Sequence, residues 1–138
     1  MGKKKILIVE DDPDMRLALN VRLKANHYDV IVASDGITGI AQARKHMPDL
    51  IILDIGLPAG DGFRTMELLK VNESLSLVPV IVLSGRDRNG NMDLALKAGA
   101  KAFLQKPVDN AELLAVMRQA LGESALLKEP AVDDSGYP

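Results

Sequence analysis

The chain has 138 residues, with 17 basic and 19 acidic side chains, a net charge of −2, and neither cysteine nor tryptophan. That length carries one domain with a true core, the charge balance is not basic enough to suggest nucleic acid as the direct partner, and the missing cysteines exclude a disulfide framework or a cysteine zinc site. No apolar run approaches the ~18 residues of a membrane span, and two Phe with two Tyr are too few for a stacking platform for bases or flavin.

The basic start, residues 1–5, is followed by only four apolar residues and then acid, unlike a signal peptide; a cytoplasmic protein is expected. Residues 5–9 (KILIV) predict a strand. Met15, Leu19 and Leu23 recur every four residues and predict a helix over 13–26, with Asp12 as its cap and Pro13 in its first turn. A strand follows over 28–33 (YDVIVA), then a helix over 36–47 that its two glycines weaken. Residues 49–54 (DLIILD) read as a buried strand ending in acid, and 62–72 as a helix. The β-branched run 78–83 (VPVIVL) is a central strand, 91–100 a helix stopped by Gly99, and 101–105 a short strand. The last helix, 110–122, starts at an Asp109/Glu112 capping box and stops at Gly122. Residues 123–138, with Pro130, Asp133, Asp134, Ser135, Gly136 and Pro138, read as a flexible tail or linker behind a folded domain at 1–122.

Five apolar strands alternating with five helices predict an α/β fold, a doubly wound parallel sheet with helices on both faces. In such a sheet, ligands gather beyond the carboxyl ends of the strands. The strand ends here carry Glu10-Asp11-Asp12, Asp54, Ser84-Gly85 and Lys106-Pro107. Clustered carboxylates cannot all ionise cheaply, and a hard cation such as Mg²⁺, which prefers oxygen ligands, resolves the repulsion. An Asp beside a metal, a lysine and a hydroxyl is a plausible nucleophile toward phosphorus. No Walker loop and no GxGxxG is present, so the phosphoryl donor must come from elsewhere.

These motifs resemble those of the response-regulator receiver domains of two-component signalling, over residues 5 to about 122. The matching stretches are ILIVEDD (6–12), LIILDIGLPAGDG (50–62), PVIVLSG (79–85) and AFLQKP (102–107). In the second, the acceptor Asp54 is followed by Pro58 at four residues and Gly62 at eight. The resemblance implies the CheY-like, flavodoxin-like strand order 2-1-3-4-5. It makes Asp54 the phosphoacceptor and Ser84 and Lys106 the residues that grip the phosphoryl oxygens. Mg²⁺ would be bound by Asp11, Asp54 and the backbone carbonyl of Gly56, with Glu10 acting mainly through water. Asp12 is left to cap the helix, and Phe103 would swing inward when Ser84 moves. A cis bond before Pro107 is a further expectation. The implied donor is a sensor histidine kinase or a histidine phosphotransfer protein. The implied output is a downstream protein, an attached domain or a phosphorylation-dependent homodimer, contacted through the face of the fourth helix, fifth strand and fifth helix. Neither nucleic acid nor membrane is expected as a direct partner.

The chain departs from the common family pattern at Gly56, Gly85 and Val108. Gly56 leaves the phosphoryl site less covered, and Arg86 could reach over it. His27 and His46 read as helix-end surface residues. An aspartate-based phosphatase is a competing expectation, but such enzymes carry a second Asp where this chain has Gly56. The chain is therefore expected to catalyse only its own phosphorylation and dephosphorylation. A flavodoxin-like cofactor binder is disfavoured by the acids at 10–12, and a receiver reduced to an interaction module by the intact acidic set.

Overall fold

The computed structural model describes residues 2–56, 61–85 and 91–123. Pro58, Arg86 and the stretch 124–138 lie outside the described residues. In chain order the elements are β1 (Lys5–Val9), α1 (Pro13–Ala25), β2 (Asp29–Ala33), α2 (Gly36–His46), β3 (Leu50–Asp54), α3 (Asp61–Val71), β4 (Val80–Ser84), α4 (Asn91–Lys97), β5 (Ala102–Gln105) and α5 (Asn110–Ala120). All pairings are parallel, and the order is β2-β1-β3-β4-β5. The expected architecture and strand order are therefore those of the molecule.

Side-chain alternation along the central strands divides the core in two. Leu7, Val9, Ile51, Leu53, Val80 and Val82 face Ala43 of α2, Met66 and Leu69 of α3 and Ala95 of α4. Ile6, Ile8, Leu50, Ile52, Ile81 and Leu83 face Leu19 and Leu23 of α1 and Leu113 and Met117 of α5. Burial on both faces explains why β1, β3 and β4 are apolar almost throughout.

The helix starts follow the sequence signals. Asp12 is extended and accepts the Asp14 N–H at 3.0 Å, ahead of Pro13. Asp35 accepts the Thr38 N–H at 2.8 Å, and this bond holds its carboxyl below the usual range. Asp109 accepts the Ala111 N–H at 3.1 Å.

Boundaries differ from expectation where a turn competes with the element. Tyr28 belongs to the turn after α1, because its N–H donates to the Leu23 carbonyl at 3.1 Å. The strand begins one residue later, where the Asp29 N–H reaches the Lys4 carbonyl. Val78 likewise donates back to Leu75, so β4 starts at Val80 and runs on to Ser84. The fourth helix ends at Lys97 rather than 100. Gly99 (φ 106) donates to Leu96 and Ala100 to Ala95, the paired bonds that close a helix at a left-handed residue. Gly122 closes α5 in the same way, and His27 (φ 71) closes α1 without being a glycine.

The glycines that weaken α2 as a sequence prediction are packing devices. A Cβ on Gly39 would lie 3.0 Å from Val9 Cγ2, and one on Gly36 2.9 Å from Asp61 Cγ. Their absence lets α2 settle on β1 and against α3.

Candidate functional site

The order of strands reverses between β1 and β3, so their carboxyl ends open the crevice where such sheets bind ligands. Glu10 and Asp11 leave β1 there, and Asp54 ends β3 beside them. One carboxylate oxygen from each of Glu10, Asp11 and Asp54 lies within 4.8 Å of the others. Glu10 and Asp54 are buried, while Asp11 is exposed at the rim. Oxygen-only, carboxylate-rich donors of this kind fit Mg²⁺.

Lys106 enters from the end of β5. Its Nζ lies 2.9 Å from Glu10 Oε1 and 3.3 Å from Asp54 Oδ2. The other oxygens are held by backbone: Asp12 N–H donates to Glu10 Oε2 at 3.2 Å and Gly56 N–H to Asp54 Oδ1 at 2.8 Å. The peptide between Lys106 and Pro107 is cis, as expected. One ammonium shared by two buried carboxylates leaves negative charge over. Burial pushes the Glu10 carboxyl up, the Lys106 bond pulls it down, the Asp54 charge pushes it up again, and it stands at about 7. Burial alone would lower the Lys106 ammonium, but the bonds and charges of Glu10 and Asp54 outweigh it and raise it above the ordinary lysine value.

Ser84 closes β4 and is fully buried. The Lys106 N–H donates to its carbonyl at 2.8 Å, while Ile55 N–H donates to Leu83 O at 2.9 Å, so the three strand ends are stitched side by side. Phe103 stands one strand further out, opposite Val82, half-buried against the core. Glu10, Asp11, Asp54, Gly56, Ser84 and Lys106 thus converge on one edge of the sheet, and Phe103 lies behind it.

The departures from the family pattern have local meaning. A Cβ at Gly56 would sit 3.2 Å from Asp54 Oδ1, so a side chain there starts over the acceptor oxygen. Among the described residues, a Cβ at Gly85 would meet the Lys106 stem, at 3.5 Å. Val108 packs into the α1/α5 side of the core. His27 follows α1 and His46 ends α2; the His46 carbonyl accepts the Lys5 Nζ at the opposite edge of the sheet. Neither histidine belongs to the site.

Sequence reasoning missed Arg16. Its Nη1 donates to the Glu10 carbonyl at 2.8 Å and approaches the Asp11 carbonyl at 3.5 Å, fixing the acidic turn. The available signal was an arginine in the first turns of a helix that starts on an acidic loop. Gly62 is explained as well: a Cβ there would lie 2.6–2.8 Å from the backbone O, Cα and C of Ile55. Only glycine lets α3 come down onto the segment following Asp54. Among the described residues no helix is long and apolar enough to cross a membrane.

Comparison with known proteins agrees with this geometry. Residues 6–118 match the response regulator receiver domain. The chain is 32% identical over 117 residues to protein PilH of Pseudomonas aeruginosa, covering 85% of this chain and 97% of that one. It is 37% identical over 115 residues to response regulator PleD of Caulobacter vibrioides, covering 83% of this chain. It is 40% identical over 125 residues to the KDP operon transcriptional regulatory protein KdpE of Escherichia coli, covering 91% of this chain. It spans only 25% of PleD and 54% of KdpE. Among solved structures, a putative response regulator from Chloroflexus aurantiacus superposes with a TM-score of 0.83 at 26% identity, over 88% of this chain and 99% of that one. The receiver domain of the sensor histidine kinase PA1611 from Pseudomonas aeruginosa has a magnesium ion coordinated in its active site cleft. It superposes at 0.80 with 30% identity, over 88% and 99% of the two chains. With five parallel strands in the order 2-1-3-4-5 and an acidic cluster at their carboxyl edge, this chain belongs to the family of response regulator receiver domains.

Proposed function

We propose that Asp54 accepts a phosphoryl group from the phosphohistidine of a sensor histidine kinase or histidine phosphotransfer protein, and that the phosphate switches a protein-binding surface. The observation that carries this reading is the Asp54 carboxylate itself. It is buried, with one oxygen held by the Gly56 N–H and the other by Lys106, and with two further carboxylates beside it. One Asp54 oxygen forms the new P–O bond as the donor's P–N bond breaks, and the departing imidazole collects a proton. Asp11, Asp54 and the Gly56 carbonyl are the residues to hold Mg²⁺, with Glu10 acting through water; bound there, the ion neutralises charge on the transferring group. Lys106 then turns from pairing carboxylates to pairing phosphoryl oxygens, and the Ser84 hydroxyl donates to one of them. Hydrolysis at the same centre returns the carboxylate, so the chain acts on no substrate but itself.

The switch follows from differential contact: phosphate stabilises only the state in which its oxygens are bonded. Ser84 moving inward frees the space beside β5 into which Phe103 turns, repacking the α4–β5–α5 face. That face meets an output protein, an output domain joined to the receiver, or a second copy of the chain, in the cytoplasm where the donor kinase domain works. KdpE, by its name a transcriptional regulatory protein, extends well beyond the part this chain matches, which leaves room for a joined output domain. Sedimentation and partner-binding measurements with and without an acyl phosphate test the switch. Control by phosphate in wild type that is lost in Asp54→Asn is the expected result; control retained by Asp54→Asn refutes it.

A further inference from the structure

We propose that Asp61 is a positioning residue for phosphoryl transfer: it ties the start of α3 to the start of α2 and so holds the backbone that presents Asp54. The inference rests on the phosphoacceptor reading above. Asp61 opens α3, seven positions after the acceptor, and among the described residues its hydrogen bonds go to Gly36 and Thr65 rather than to Lys106 or the acidic trio. Its carboxylate turns to the next helix, where Oδ2 accepts the Gly36 N–H at 2.8 Å. That N–H belongs to the first turn of α2, where the backbone donors lack intrahelical partners. The carboxylate also lies on the favourable end of the helix dipole.

The join is built for closeness. Gly36 is buried, and a Cβ there would overlap Asp61 Oδ2 and Thr65 Oγ1. Thr65 is buried in turn, and its hydroxyl donates to the Asp61 carbonyl at 2.7 Å. Asp61 is therefore held at its side chain by α2 and at its backbone by the next turn of α3.

The next residue transmits that position to the site. Gly62 packs so tightly on Ile55 that a Cβ would come within 2.6 Å of the Ile55 carbonyl oxygen. Ile55 is pinned on its other side by its N–H bond to Leu83 O at 2.9 Å. Gly56 follows directly, with its N–H on Asp54 Oδ1 at 2.8 Å. A shift at Asp61 releases pressure on Ile55 and misplaces both the Gly56 N–H and the Gly56 carbonyl. Residues hydrogen-bonded to metal ligands change metal affinity by about 10–100-fold when removed, and Asp61, one step further from the ligands, is placed at the low end of that range.

The test uses the whole chain with Asp61→Ala, Asp61→Asn and Gly36→Ala. Mg²⁺ affinity is read by calorimetry, exchange of the Gly56 amide by NMR, and phosphorylation by a small acyl phosphate. Asp61→Ala is expected to weaken Mg²⁺ about tenfold and to speed Gly56 exchange, and Asp61→Asn, which keeps an acceptor oxygen, to restore both to within about threefold. Gly36→Ala should reproduce Asp61→Ala by displacing the carboxylate from the other side, and it serves if Asp61→Ala does not fold. A merely structural role would lower thermal stability while leaving Mg²⁺ affinity and Gly56 exchange of the folded protein unchanged; that result overturns the proposal, as does an Asn variant no better than Ala. Wild type that neither binds Mg²⁺ nor takes up phosphate refutes the phosphoacceptor reading instead, and Gly56 exchange still decides whether Asp61 holds the segment.

Discussion

Replacing Glu10 with Gln removes one buried negative charge while keeping the shape of the side chain. In the folded protein the Glu10 carboxyl stands at about 7, against an ordinary value of 4.5. The folded state therefore binds this proton more tightly than the unfolded chain. The stabilisation it gives is fully present below pH 4.5 and is lost as pH rises through about 7. A displacement of this size corresponds to roughly 3 kcal/mol. Asp11 is exposed and Lys106 partly so, and water entering at that rim reduces the figure to about 1–3 kcal/mol. Without divalent cations, Glu10→Gln should match wild type near pH 4.5 and exceed it by about 1–3 kcal/mol at pH 8. Urea unfolding at steps across this range, with a chelator present, measures the difference. Added Mg²⁺ should reverse the order at pH 8, because only wild type keeps the full acidic set. A stability difference independent of pH would refute the electrostatic account of the site.

Three other perturbations probe the neighbouring groups. Lys106→Met leaves Glu10 and Asp54 without their cation and should cost about 3–5 kcal/mol at pH 8 in chelator, read by urea unfolding and partly recovered with Mg²⁺. Gly62→Ala forces a methyl into the Ile55 backbone and should lower stability by about 1–3 kcal/mol; a neutral substitution would show that α3 moves away freely. Gly56→Met places a side chain beside Asp54 Oδ1 and should lengthen the phosphoryl lifetime, followed as loss of phosphate after the donor is removed; an unchanged lifetime would count against shielding at this position.

The parts of this molecule that were legible in the sequence are those fixed by local pattern. Ile6 to Val9 and Ile51 to Leu53 are buried on both faces, and a strand in that environment must be an uninterrupted apolar run. Glu10, Asp54 and Ser84 were legible because each directly follows such a run, Asp11 and Lys106 because each lies one residue beyond a strand's apolar stretch, and a parallel sheet brings those ends together. Tyr28 was drawn into β2 because its ring is apolar and buried, but the bond of its N–H to Leu23 is a helix-ending bond that hydrophobicity does not encode. Gly36 and Gly39 looked like weak points because helix propensity counts only the helix itself. Their neighbours Val9 and Asp61 are distant in sequence, and closeness to them decides. Asp61 was passed over for the same reason: it acts on the backbone of another segment, and nothing in its own surroundings in the chain announces it. Arg16 bonds the carbonyls of the acidic turn just before its helix, and its only signal was its place in the first turns of that helix.

The central claim is that Asp54 is the phosphoacceptor. Intact mass after incubation with Mg²⁺ and a small acyl phosphate, on wild type and Asp54→Asn, tests it most directly. The account predicts the gain of one phosphoryl group in wild type, dependent on Mg²⁺ and absent from the variant. Phosphate on Asp54→Asn, or a wild type that takes up none from either the acyl phosphate or a phosphohistidine donor, would contradict it.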